Sequence, residues 1–293
     1  MPTTFITTNR LKLSSVDALA MLLKRMSYPN RLGDLVLFFG REASVISRFT
    51  NEVSLFIHKR WHNLLRWDHC RLTEEVLQSY HCAIWDKGGK LDGPSSNQEL
   101  VYNGWKGVHA LKFQSVVAPD GLILHLDGPY LGKHHDAWIL HVSGLLGVLN
   151  DHLRFGDKRF CVYGDPAYPV TEHLIGPFKP PRNPEEQEFN KMMSAVRIAV
   201  EWGFGMIASK FAFLDFERNL KMLLQPVAQY YLVCGLLLNA MTCLRGNQTS
   251  MFFELNPPNL DQYFTDQGAQ HEPDSCFHCE TYSNVSVKRK QRT

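Results

Sequence analysis

The spacing of the apolar residues changes once in this chain, at Tyr80, and that change limits the folds open to it. Upstream, Val45, Ile46, Phe49, Val53, Phe56 and Ile57 recur at three- and four-residue steps, the repeat of one helical face. Residues 31–39 before them predict a short helix stopped by Gly40. Downstream, residues 81–86, 110–119 and 122–126 are short, apolar and bounded by Gly, Pro and Asp, which predicts strands, with Pro119-Asp-Gly121 as a hairpin turn. A helix over 138–148, a strand ending at Asp165, a proline-rich loop over 169–184 and a long helix opened by Pro184-Glu-Glu-Gln complete the pattern, with a last helix over about 220–244. Strands first and then alternating helix and strand predict an α/β fold, a mixed sheet flanked by helices behind an N-terminal helical region. Residues 1–78 form that region, 79–264 the main domain, and the polar stretch 265–293, ending Val287-Lys-Arg-Lys-Gln-Arg-Thr293, is expected to be disordered.

Bulk properties exclude little. A 293-residue chain with 44% apolar residues supports a full core, and a net charge of +2 does not by itself mark a nucleic-acid binder, because clustering matters more than totals. Seven scattered cysteines and an opening without an apolar signal region point to a reducing, intracellular setting. The longest apolar run, 230–244, contains Asn239 and falls short of the roughly twenty residues a membrane span needs, so it reads as a buried helix and no membrane partner is expected.

Three carboxylates stand out. Asp86 and Asp165 each close an apolar run expected to be a strand, and Glu201 lies on the long predicted helix. Carboxylates fixed at strand ends and on a packed helix are the hard oxygen donors that divalent cations prefer. Arg197, Glu201, Gly205 and Ser209 fall at four-residue spacing and share one helical face, which either lets a cation or a phosphate approach Glu201 or is a surface pair of Arg197 with Glu201. Asp136, in Gly132-Lys-His-His-Asp136, is read as a helix cap or as a fourth acid near the metal, and His134 and His135 lack a partner at zinc spacing. Cys276-Phe-His-Cys279 is one CxxC without a second pair. Basic and aromatic residues interleave over 102–114, where Lys106, His109 and Lys112 could meet phosphates and Trp105 or Tyr102 could stack on a base; the same pattern suits a half-buried strand. The helices on either side of Gly40, with Arg48, Lys59, Arg60 and His62 outward, read as a helix-turn-helix or as a helical pair packed on the main domain. Asp92, six residues past Asp86 in a Gly/Pro/Ser-rich loop, reads as turn chemistry.

The segments Val101-Tyr-Asn-Gly-Trp-Lys-Gly-Val-His-Ala-Leu-Lys-Phe-Gln114, Gly164-Asp-Pro-Ala-Tyr-Pro169 and Val200-Glu-Trp-Gly-Phe-Gly205 resemble, in that order, the DDE superfamily endonuclease domain of Harbinger-type transposases. The resemblance covers roughly residues 30–264. It implies an RNase H-like fold, with Asp86, Asp165 and Glu201 matching the Asp, Asp and Glu that hold two Mg2+ or Mn2+ ions for cutting DNA and joining its 3′ ends. It also implies DNA as substrate, the nucleus as location, and a separate DNA-binding protein or a second copy as partner, with Lys106, His109, Lys112 and Arg197 toward the DNA. Three positions depart from the pattern: the family continues its first aspartate as Asp-Gly-Thr, here Asp86-Lys-Gly-Gly; Trp105 stands where the family often has histidine; and Ala137-Trp138 replaces a small Ser-Gly pair. The alternative implied by these departures is a catalytically decayed transposase that binds DNA or protein.

Overall fold

A computed structural model describes residues 1–88, 97–104, 111–164, 166–214 and 226–265, and the side chains of 97–104, 111, 195 and 198–201 fall outside that description. A short hairpin, β1 (Thr4–Ile6) and β2 (Lys12–Ser14), leads into the helices α1 (Ser15–Ser27), α2 (Leu32–Phe39), α3 (Ala43–Trp61) and α4 (Glu74–Gly88). The strands β3 (Asn97–Gly104), β4 (Leu111–Val117) and β5 (Ile123–Leu131) follow, then the helices α5 (Asp136–Val142) and α6 (Leu145–His152). The chain continues through β6 (Arg154–Phe155), β7 (Lys158–Tyr163), β8 (Leu174–Ile175), α7 (Pro184–Lys210), α8 (Val227–Arg245), α9 (Gln248–Phe253) and α10 (Leu260–Tyr263).

The main sheet has the order β5-β4-β3-β7-β6, with β8 also on β7. β3, β4 and β5 are a meander of antiparallel neighbours, whereas β7 returns parallel to β3 with Val101 opposite Tyr163. The mixed sheet expected from the sequence is therefore present. The hairpin at Pro119-Asp-Gly121 is present too: Ala118 N–H bonds the Leu122 carbonyl, and Gly121 takes the positive φ (+86°) that a Cβ would strain. Asp120 fixes this turn from within, accepting from Leu122 N–H and from the Tyr80 hydroxyl of α4, with the Arg71 guanidinium at 3.4 Å.

Two expectations are corrected. Residues 81–86 are not a strand but the second half of α4, because the apolar repeat began earlier: Leu77, Tyr80, Ala83 and Ile84 are the buried face of one helix. Asp86 thus sits on an exposed helical turn, not at a strand end. The helix over 138–148 is two helices, broken where Gly144 adopts φ +73° before α6. The expected tail, 265–293, lies outside the described residues from 266 onward.

α7 begins as its sequence dictates. Asn183 caps it by accepting from Glu186 N–H, Pro184 occupies the first turn, and Glu185 and Glu186 face the positive helix end. Its buried residues include Met193, Val196, Gly203 and Ile207, while Gly205 and Ser209 face solvent, so the small-residue stripe opens outward at its C-terminal half.

α8 is long and apolar enough to cross a membrane by composition, but it packs inside this protein. The Asn239 amide, fully buried, accepts from Ile123 N–H at 2.9 Å and donates to the Ile123 carbonyl at 2.8 Å and the Tyr263 hydroxyl at 2.7 Å. Gly235 lets the helix approach β5 so closely that a Cβ would lie 2.7 Å from Leu126 Cδ2. The N-terminal helices join the same core: Gln229 of α8 donates to Ser54 of α3 at 3.0 Å, and Met21, Phe49 and Val53 belong to one buried cluster with Leu126 and Val233. Of the cations expected outward on α3, Lys59 and Arg60 are exposed, whereas His62 turns back to the His58 carbonyl and stacks on the His58 ring at 5.2 Å.

Replacing Asn239 by Leu strands the Ile123 N–H and C=O in a dry core, at about 1–3 kcal/mol for each buried group left unpaired. The expected result is a loss of roughly 3 kcal/mol in denaturant unfolding; a loss under about 0.5 kcal/mol would show that the clamp is not structural.

Candidate active site

β3 and β7 are parallel, and β5 is antiparallel to β4, which is antiparallel to β3, so β3, β5 and β7 all point the same way. Their C-terminal ends share one edge of the sheet, the edge at which open α/β sheets bind ligands. The chain leaves β7 at Gly164, whose N–H bonds the Ile175 carbonyl at 2.7 Å and whose place no larger residue fits without displacing Leu174 Cδ1, 3.0 Å from a Cβ. Asp165 is the next residue and itself lies outside the described residues.

α7 packs on the face above β3 and β4. Phe189 meets Tyr163, the last residue of β7, with ring centroids 6.2 Å apart, and Gly203 lies against Val117 at the end of β4, 3.4 Å from a Cβ. Between them the backbone of Glu201 lies on the same helix, and Arg197 is half-buried one turn earlier. The fold thus brings the strand before Asp165 and the helix of Glu201 together over β3, while Asp86 remains on the exposed surface of α4. Lys87, expected beside Asp86, instead pairs with Glu254 at 2.5 Å.

The opposite face of β4 has a different character. Phe113 stacks on Tyr231 of α8 with centroids 4.0 Å apart, so its neighbours Lys112 and Gln114 point to the other side. Lys112 Nζ donates to Asp136 Oδ1 at 3.0 Å and to the His134 carbonyl at 2.9 Å. Lys112, expected to meet phosphate, is held inside the molecule. Asp136 is likewise not the helix cap: the N-cap of α5 is His135, and Asp136 is the first-turn acid that pairs with Lys112. His134 stacks on Trp138 at 4.0 Å, and Trp138 meets Tyr130 edge-on at 6.2 Å. Lys106 and His109, like Trp105 and the Cys276–Cys279 pair, lie outside the described residues.

A buried polar group behind this edge was missed in the sequence reading. Gln114 opposes Asp127 across the β4–β5 ladder, Asp127 pairs with Arg66 at 2.5 Å and accepts from the Tyr130 hydroxyl, and both Gln114 amide atoms are buried without a partner. His125 of the same strand is buried, and desolvation brings its pKa down to about 4, with the nearby Asp127 charge opposing the shift and Arg66 adding to it. Only the alternation of His125 and Asp127 inside an apolar run hinted at a polar interior.

Among the described residues no three His, Cys, Asp or Glu side chains come together to hold a metal ion. The model of the DDE superfamily endonuclease family matches residues 89–239, just over half of the chain. The chain belongs to the DDE superfamily endonuclease family. Within the match lie Asp92, Asp136, Asp165 and Glu201; Asp86 lies before it. The chain is similar to "Putative nuclease HARBI1" of Xenopus laevis, 26% identical over 150 residues covering 51% of this chain and 42% of that protein. It is similar also to the protein of that name from Homo sapiens, 21% identical over 203 residues covering 66% of this chain and 56% of the other. The chain spans about half the length of these relatives. No solved structure matches.

A histidine whose folded pKa lies below its unfolded value binds its proton more readily when unfolded, so stability rises with pH. The contribution from His125 is complete above its ordinary pKa of 6.5 and is lost as pH falls toward 4. His58, which desolvation and then the His62 and Arg66 charges bring to about 4, acts in the same direction and over the same window. Unfolding free energy is therefore expected to fall between pH 6.5 and pH 4, by up to about 3 kcal/mol for the fully buried His125. His125→Leu is expected to flatten this slope relative to the wild type, and an unchanged slope would contradict the assignment.

Proposed function

We propose that this DDE-family chain is a transposase-derived DNA endonuclease and strand transferase, acting in the nucleus on DNA phosphodiesters with divalent metal ions. The observation that carries the reading is the order of Asp165 and Glu201 within the family match, the first following β7 in sequence and the second on α7, two elements that both contact β3. The strand order β5-β4-β3-β7-β8, with three antiparallel strands and parallel returns, supports the RNase H-like assignment.

The first acid is Asp92 rather than Asp86. Asp92 is inside the family match and is followed by Gly93, as the family's Asp-Gly-Thr requires, whereas Asp86 precedes the match and faces solvent from α4. Three carboxylates, Asp92, Asp165 and Glu201, form a hard oxygen donor set that fits Mg2+ or Mn2+ and lacks the thiolates that would select zinc. When bound, a pair of such ions lowers the pKa of a water or 3′-hydroxyl nucleophile and stabilises charge at phosphorus. The remaining tasks belong to this chain's own residues. Gly164 and β8 fix the backbone that leads into Asp165, and α7, on which Glu201 lies, packs on the sheet while leaving Gly205 bare, so that a phosphate backbone can approach that helix. Arg197, one turn from Glu201, lies where it can face the DNA strand. Target recognition belongs to a separate DNA-binding protein or a second copy of the chain.

A second reading, a decayed transposase that only binds DNA or protein, is favoured by one observation. In the register that sets Val101 opposite Tyr163, β3 continues past the end of β7 with Asn103, an amide and not an acid.

Nicking of supercoiled DNA in Mg2+ or Mn2+ separates these. Asp165→Asn, Glu201→Gln and Asp92→Asn are each expected to lower the rate at least about a hundredfold with the melting temperature unchanged, while Asp86→Asn leaves it within about twofold. Loss in Asp86→Asn with full activity in Asp92→Asn would reassign the first acid. A wild-type protein that neither binds Mn2+ in calorimetry nor nicks DNA would establish the decayed reading.

A further inference from the structure

The geometry points to a base-stacking platform for an unpaired nucleotide, formed by Trp138 and His134 after the end of β5 that extends beyond β7; it rests on the nuclease reading and adds the form of DNA that the site accepts.

β5 runs in the same direction as β7 and ends at Leu131, beyond the level at which β7 ends, and residues 132–138 follow directly. Trp138 is on the first turns of α5 and remains 42% exposed, although it makes a parallel stack with His134, centroids 4.0 Å apart and planes 15° from parallel. Its only other aromatic neighbour among the described residues is Tyr130, which presents an edge at 6.2 Å. Packing does not call for an indole here: the buried residues of α5 are Ile139 and Leu140. An exposed, pre-oriented pair of rings is what a splayed base requires, because stacking tolerates every base and needs no hydrogen-bond code.

The charges around the pair suit a nucleic-acid strand. Lys112 offsets Asp136, so the local acid does not repel phosphate, and Lys133, His135 and His141 are exposed on the same segment. Lys112 also holds the His134 carbonyl, which fixes the lower ring of the stack. β5 and β7 are three strand spacings apart, ~14 Å, and the ladders set Tyr163 level with Ile123, so Leu131 lies ~20 Å further along the strand direction and a DNA strand spans the ~25 Å between them in about four nucleotides. The platform therefore suits DNA with an unpaired nucleotide about four positions from the scissile bond, in preference to a closed duplex.

The test uses the full chain without divalent metal, so that binding is read apart from chemistry. The probe is a short mixed-sequence single strand carrying one 2-aminopurine, moved position by position. Wild type and Trp138→Phe are expected to quench the fluorophore at one position. Trp138→Ala is expected to abolish that quenching and to weaken single-strand binding roughly tenfold, with a smaller effect on duplex and an unchanged salt slope. An abasic site at the quenched position should erase the difference between wild type and Trp138→Ala. No positional quenching in the wild type, or equal binding and quenching in Trp138→Ala, would overturn the platform. If the wild type nicks DNA while Trp138→Ala binds equally well, the platform fails and the nuclease stands. Positional quenching that Trp138→Ala abolishes, in a protein that never nicks DNA, keeps the platform and removes the nuclease.

Discussion

The amide of Asn239 is the contact on which the architecture depends. β5 is an outer strand of the main sheet, and one amide on α8 takes both the N–H and the C=O of Ile123 while also binding Tyr263. A hydrogen-bonded amide is tolerable at such depth only because each of its polar atoms is satisfied. Its fixed geometry sets the position of α8 along β5, which hydrophobic contact alone would leave free to slide. Gly235 then admits the close approach of helix to strand, and Asn247 continues the same seam by donating to the Gly121 carbonyl of the hairpin at 2.8 Å. With α8 in place, α3 has a surface to pack on, and the N-terminal helices become part of the main core.

The two faces of β4 divide the labour of the molecule. One meets α7 and α8 through Phe113 and Val117 and carries the helix of Glu201. The other holds Lys112, Gln114 and, across the ladder, Asp127, in a polar layer that ends at Asp136, His134 and Trp138. Polar groups so placed fix the loop after β5 against the sheet, which holds the aromatic pair in place beyond the level at which β7 ends.

Local signals were legible in the sequence wherever one residue decides the backbone. Asn183-Pro184 opened α7, Gly121 closed the hairpin, and Gly40, in the left-handed conformation, ended α2. The strand before Asp165 and the helix of Glu201 were readable for the same reason. Residues 81–86 misled because a six-residue window cannot separate a buried strand from half of a helix, and the deciding residues, Leu77 and Tyr80, lay before the window. That misreading put Asp86 at a strand end, whereas it lies on α4. Tertiary pairs left no local trace at all: the Lys112–Asp136 ion pair spans a hairpin and a loop, and nothing near Asp136 in the sequence distinguishes it from a helix cap.

The central claim is that the acids at 92, 165 and 201 converge on shared cations. Replacing Mg2+ by Fe2+ and adding ascorbate and peroxide generates hydroxyl radicals at the bound ion, which cut the polypeptide at the segments that surround it. The account predicts cleavage at three separate places in the chain, near residues 92, 165 and 201, suppressed by excess Mg2+ and lost in Asp165→Asn. Cleavage clustered near residue 86, or at one of the three segments without the other two, would contradict it.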